Sequence, residues 1–351
     1  MKVPFRWRLT RFLLVLLFAP ACWAQQTGHS ASSDSLDWVR TPPTNLVEYD
    51  YIMTARVRLV FFWAGKDDVG GGYVRRGISS ADPHEEMFQV LFGSDPARAP
   101  RGINRWGAGT EAVWHQGAVD SHPKTDDVVS SAFFGFMKPS RGKSAAEMQG
   151  ELKKEKEQGT YLFTGIVSRA EPGRATSLIV PLQSPTDYNL RQYDAAQPVM
   201  LDRIAVSDRP LKTMQSATCA RGGQFLGTVS ALLDAALEGR KAPYTLCYFY
   251  DASEVSLTVE RTEMLGKLPV QLHGPKGVTL INTEYQNVLQ VDFLSANKTT
   301  GRKVPFTIFV GTQGAILGVP VQIRYQPNWW FQIVLNLKNI PGPLAVSVEK
   351  N

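Results

Sequence analysis

The stretch YIMTARVRLVFFW at positions 51–63 decides the fold class. Its odd positions are Tyr51, Met53, Ala55, Val57, Leu59, Phe61 and Trp63, while Thr54, Arg56 and Arg58 stand at even ones. An apolar period of two over this length means a β-strand with one buried face, because successive strand side chains point to opposite sides. Val60 and Phe62 make the second face apolar near the end, and a strand apolar on both faces needs cover on both. Lys66-Asp67-Asp68 and the glycines Gly70, Gly71 and Gly72 read as the turn that follows, with the return strand starting at Tyr73.

Further short strands are expected at 87–92, 132–137, 161–167 and 176–182. From position 244 the chain reads almost wholly as strand: 244–250, 255–260, 278–283, 288–294, 304–311, 319–325 and 329–337. In the last, Phe331, Ile333, Leu335 and Leu337 alternate with Gln332, Asn336 and Lys338. Short connections favour antiparallel pairing, since parallel neighbours need long crossovers. Two segments break the pattern. Phe225, Leu226, Val229, Leu232, Leu233, Ala236 and Leu237 follow helical spacing and stop at Gly239, the mark of a core-packing helix. Residues 143–158 are helical in composition, but Met148 and Leu152 stand almost alone among charges, which marks an exposed helix.

The expected fold is therefore α+β: a mainly antiparallel curved β-sheet or partial barrel, with one core-packing helix and one exposed charged helix. One large domain is expected over 46–351, with a possible sub-boundary near 184–240. A membrane barrel also shows alternating strands, but its spans are about ten residues long with aromatic girdles. Here many strands are shorter, and charged segments and a core helix interrupt them.

Lys2, Arg6, Arg8 and Arg11 precede an uncharged apolar run, Leu13 to Ala21, that ends in Cys22-Trp23-Ala24. That run is shorter than the roughly 20 residues a spanning helix needs and fits the core of a secretory signal. Residues 1–24 are expected to be cleaved before Gln25, and 25–45 to be a polar lead-in. Acylation at Cys22 is disfavoured because Ala19 stands where a large aliphatic residue is expected. No transmembrane span is expected after cleavage, and the mature protein is placed in the periplasm or outside the cell.

The leader carries four of the 38 Lys and Arg, so 34 remain against 32 Asp and Glu, and the net charge falls from +6 to +2. That balance gives no support for nucleic-acid binding, which wants a concentrated basic face. Of three cysteines, Cys22 leaves with the leader, and Cys219 and Cys247 form an even pair expected to be disulfide-bonded in an oxidising compartment.

Chemistry-bearing patterns are sparse. His115, Asp120 and His122 form the one compact set of potential metal ligands, with atom types that suit zinc but no standard spacing. Ser140 to Lys143 fits S-x-x-K but lacks its partner motifs, and no G-x-S-x-G occurs. Arg105 and Trp106 lie on a Pro/Gly-rich stretch where guanidinium and indole together suit an anionic or glycan ligand. The both-sided apolar end at Phe61, Phe62 and Trp63 is the other candidate ligand contact. No cofactor is expected. The leading expectation is an exported, non-enzymatic binding or carrier protein with an apolar groove for a lipid-like small molecule. The rivals are an exported hydrolase using the 115–122 loop and a cell-envelope assembly protein docking on a partner protein through its sheet edges and charged helix.

Overall fold

The computed structural model describes residues 37–40, 46–59, 62–79, 82–117, 128–139, 145–207, 209–219, 223–251, 253–274, 277–328 and 331–339. The leader, Phe61, Asp120 and His122 lie outside these residues.

Strand β1 (Val47–Leu59) does not run on to Trp63. Leu59 pairs with Phe62, so the chain reverses between them, and β2 (Phe62–Ile78) carries the three glycines in its middle. The expected turn at 66–72 is thus a strand interior. A Cβ on Gly70 would stand 2.0 Å from the Gly93 carbonyl oxygen, and one on Gly71 2.3 Å from that of Tyr51. Glycine serves here to let three strands approach closely rather than to turn the chain.

From β2 the chain meanders through β3 (Glu85–Ser94), β4 (Trp106–His115), β5 (Val128–Lys138), β6 (Tyr161–Glu171), β7 (Arg174–Ser184) and the short β8 (Lys212–Gln215). A second meander follows: β9 (Tyr244–Tyr250), β10 (Ser253–His273), β11 (Thr279–Asn297), β12 (Lys303–Gly311), β13 (Pro320–Asn328) and β14 (Phe331–Leu337). β14 pairs antiparallel with β1, joining the two meanders into one antiparallel sheet of fourteen strands among the described residues. Its hydrogen-bonded edges are β8 and β9.

Those edges meet without strand pairing. Cys219, just past β8, is disulfide-bonded to Cys247 of β9, with Cα atoms 5.7 Å apart. Lys212 pairs with Asp251 at 2.9 Å. Glu254 of β10 accepts hydrogen bonds from Ser216 Oγ and Thr218 Oγ1 and pairs with Lys298. Phe249 of β9 packs in one cluster with Ala170 of β6 and Ala175 of β7. The sheet therefore curves until its two edges are stapled by side chains.

β10 and β11 are longer than the strands expected at 255–260, 278–283 and 288–294. β9 pairs with β10 only as far as Val259, so Pro269 lies opposite Glu284 of β11 in the part of β10 that β9 does not reach. The far half of this hairpin contributes Leu268, Val270, Leu272, Ile281 and Tyr285 to a cluster with Tyr51, Phe92 and Leu337.

Among the described residues four α-helices accompany the sheet: α1 (Asp37–Arg40), α2 (Ala145–Gln158), α3 (Tyr193–Ala205) and α4 (Phe225–Leu237). α4 is the expected core helix. α3 is a second packed helix, masked in the sequence by Pro198 within it. It buries Ala196, Met200, Leu201 and Ile204 against Phe134, Phe163 and Leu178 on one face of β5–β7. α4 lies on the other face. α2 carries mostly charged side chains, as expected.

Candidate functional site

Register identifies the concave face. Met53, Gly70, Gly72 and Val74 continue sideways into Phe92, Val90 and Phe88, then into Gly107, Gly109 and Glu111, then into Met137, Gly135 and Phe133, because directly opposed residues share a face. Ile308, Ile323, Ile333 and Leu335 extend it through the second meander. These strands line a half-open cavity of about 710 Å³ together with α4, whose Phe225, Val229 and Leu233 form part of the wall. Gly109 and Gly135 keep the wall flat, since a Cβ on Gly109 would stand 2.7 Å from the Phe133 ring, which lies over it.

The opposite face of β12–β14 mixes hydrogen-bonded polar side chains with the buried Phe309 and Val334. Thr307 donates to Asp292, Gln322 to Asn336 and Arg324 to Gln322. Among the described residues no helix is long and apolar enough to cross a membrane.

α4 enters the concavity with its first turn aimed at a buried carboxylate. Glu111 of β4, fully buried, accepts hydrogen bonds from the backbone N–H of Leu226 at 2.6 Å and of Gly227 at 3.1 Å. Orphan N–H groups at a helix start favour negative charge, so this contact both satisfies donors and complements the helix dipole. Tyr244 Oη donates to the Leu232 carbonyl at 3.1 Å and ties the helix to β9. Gln224, immediately before the helix and 3% exposed, accepts from Ser168 Oγ at 2.9 Å through Oε1. Its Nε2 is buried and has no hydrogen-bond partner among the described residues, and Gln224 is one of the residues around the cavity.

A charged cluster marks another part of the wall. Arg76 pairs with Glu86 at 2.7 Å and with Asp234 of α4 at 3.5 Å, and His115 Nε2 stands 3.5 Å from Glu86. Burial raises the Glu86 carboxyl, but His115 and the Arg76 guanidinium outweigh it and hold the group below its ordinary value of 4.5. A carboxyl lowered on folding contributes stability that is present above its unfolded value and lost as pH falls through the folded one. Glu86→Gln should therefore lower the urea midpoint at pH 7, with the gap to wild type narrowing below about pH 4. A gap that is the same at pH 7 and pH 3.5 would show that the pair does not carry this pH dependence.

The expected site residues distribute as follows. Trp63 sits beside the β1–β2 reversal, 38% exposed, and does not line the cavity, while Phe62 is placed in β2. Trp106 opens β4 instead of standing in a loop. It is 1% exposed, donates through Nε1 to the Tyr188 carbonyl and packs edge-on to Phe136 and Phe163, away from the cavity. Arg105 is equally buried and faces Glu151 and Glu155 of α2 at 3.6 Å each. Its guanidinium thus docks a helix. His115 lies next to Glu86 in the sheet, and no group of three metal-ligating side chains occurs among the described residues. Sequence reasoning missed Gln224, Glu111 and Arg76. A lone polar residue before a helix, or inside a strand, gives no periodic signal, and what distinguishes these three is only what tertiary packing places beside them.

Compared with protein families, with curated proteins and with solved structures, the chain matches none.

Proposed function

We propose that this protein is an exported, non-enzymatic carrier that holds an apolar small molecule inside its curved sheet. The observation that carries this reading is the cavity of about 710 Å³ with its predominantly aliphatic and aromatic wall. Pockets for small ligands fall in the range of about 300–1,000 Å³ and are lined mainly by apolar side chains with few polar groups. Transfer of apolar surface from water favours occupancy at roughly 25 cal/mol per Å². The Cys219–Cys247 bond supports an oxidising compartment, in line with a cleaved leader and a mature start at Gln25.

Native mass spectrometry of protein purified from its own host tests the reading. The wild type should carry a bound small molecule that organic solvent extracts. Ile323→Trp, which adds bulk on the cavity wall, should reduce the occupied fraction at least tenfold while the far-ultraviolet circular dichroism stays unchanged. An empty wild type that also fails to bind the neutral dye N-phenyl-1-naphthylamine would leave the cavity as an ordinary hydrophobic interior and end the carrier reading.

A further inference from the structure

We infer that the protein docks on an anionic phospholipid bilayer through the end of the sheet where the β1–β2 and β13–β14 hairpins close side by side. This goes beyond the carrier reading, since it assigns a surface and its partner rather than the contents of the cavity.

The first argument is placement. Leu59 pairs with Phe62, and Asn328 with Phe331, so each hairpin closes through two residues. β1 pairs with β14 as far as Val57 opposite Phe331, which sets the two closures next to each other at one end of the sheet. In the sequence these closures read Leu59-Val60-Phe61-Phe62-Trp63 and Trp329-Trp330-Phe331. A two-residue hairpin join ordinarily takes Asn and Gly. Among the described side chains of this end, Val57 is 37% and Trp63 38% exposed. Apolar side chains held out in water mark an interaction site, and tryptophan favours the headgroup level of a bilayer.

The second argument is charge. Arg56 and Arg58 stand on the outer face of the same hairpin, and Arg58 lies directly opposite Trp63. Neither has an ion pair or a side-chain hydrogen bond among the described residues. Arg324 of β13 follows on this face, in the row of Val334 and Thr54. Burial and the Arg56 guanidinium hold Arg324 below its ordinary value. Asp67 and Asp292 lie further from this end and accept hydrogen bonds from Thr54 and Thr307. An anionic headgroup layer supplies the negative charge that these guanidiniums lack, and long arginine stems reach it while the rings sit deeper. Met264, Val278 and Leu280 are also exposed, on the β10–β11 hairpin at the other end. There Arg261 pairs with Glu263 and Lys267 with Glu284, so base is matched by acid.

The third argument is continuity with the cavity. Ile333 and Tyr325 line it and oppose each other, with Ala55 on the other side of Ile333. The next pair outward on that face is Val57 with Phe331. An apolar wall thus runs from the cavity to the hairpin end, a route for a lipid-like molecule between bilayer and cavity.

The test is flotation of the exported protein with vesicles of mixed phosphatidylcholine and phosphatidylglycerol, and of phosphatidylcholine alone. Wild type should bind the anionic vesicles about tenfold more tightly than the neutral ones, and lose that advantage as salt is raised. Arg56→Gln combined with Arg58→Gln should weaken binding to anionic vesicles roughly twentyfold, about fivefold for each arginine. Trp63→Ser should weaken binding to both kinds of vesicle about fivefold. Arg169→Gln with Arg174→Gln, flanking the β6–β7 turn at the opposite end of the strands, should bind as wild type does. Circular dichroism confirms that each variant is folded. A wild type that floats with neither vesicle, or equally with both, overturns the inference. So do folded Arg56/Arg58 or Trp63 variants that bind unchanged, and an equal loss in the Arg169/Arg174 variant, which would mean undirected charge attraction. No cavity ligand enters these measurements, so failure here is distinct from failure of the carrier reading, which dye binding reports.

Discussion

Glu111→Ala should lower unfolding stability by about 3–5 kcal/mol, because it removes one carboxylate that serves two buried backbone donors. The Leu226 and Gly227 N–H groups cannot turn to water, since Gly227 packs directly against β4: a Cβ there would stand 2.9 Å from Val113 Cγ2. Gly227 is what lets the helix start come this close. Chemical denaturation read by circular dichroism measures the loss. Glu111→Gln keeps one acceptor oxygen and should fall between wild type and alanine. If alanine costs less than about 1 kcal/mol, the helix start is held by its apolar side chains and the carboxylate is incidental. The expected secondary effect is on the cavity, since Phe225, Val229 and Leu233 form its wall only while α4 is seated.

Opening the disulfide should cost nearly as much. Cys219 and Cys247 are separated by 28 positions, and the chain-entropy estimate for a loop of that size is about 3–4 kcal/mol. Cys219→Ala combined with Cys247→Ala should therefore lower the urea midpoint substantially, and reduction of the wild type should reproduce the shift. The closed loop contains α4, so the bond restrains both the helix and the join between β8 and β9. A double variant as stable as wild type would mean that Glu254, Lys298 and the Lys212–Asp251 pair suffice to hold that join.

Much of the fold was legible in the sequence where one periodicity governed a whole segment. The alternation in 331–337 and the helical spacing in 225–237 correspond to β14 and α4. Where a residue type serves two purposes, the pattern misled. Gly70, Gly71 and Gly72 resemble a turn, but a glycine that yields space to a neighbouring carbonyl looks the same in a one-dimensional string. Pro198 and Pro269 resemble breakers, yet one lies within a helix and the other in the part of β10 that pairs with β11 alone. The cavity was expected near Phe61 and Phe62 because both faces of that stretch are apolar. Trp63 instead accompanies the hairpin reversal, and the wall is assembled from single residues of many strands. Strand register brings Glu111 and Arg76 to one face and the seating of α4 adds Gln224, and neither pairing leaves a trace in local spacing.

The pairing of β1 with β14 has a further consequence. Leu337 lies opposite Tyr51, and the Lys338 N–H donates to the Asp50 carbonyl at 2.8 Å, so a short peptide would splice the two strands head to tail. The exposed bend between α4 and β9, at Gly239, Arg240 and Lys241, breaks no strand pair when cut. A circular permutant opened at that bend would read the two meanders in the opposite order and keep all thirteen strand pairings. Its one covalent cross-link would then join residues near the two new ends, turning a 28-residue tether into a clasp around the whole chain.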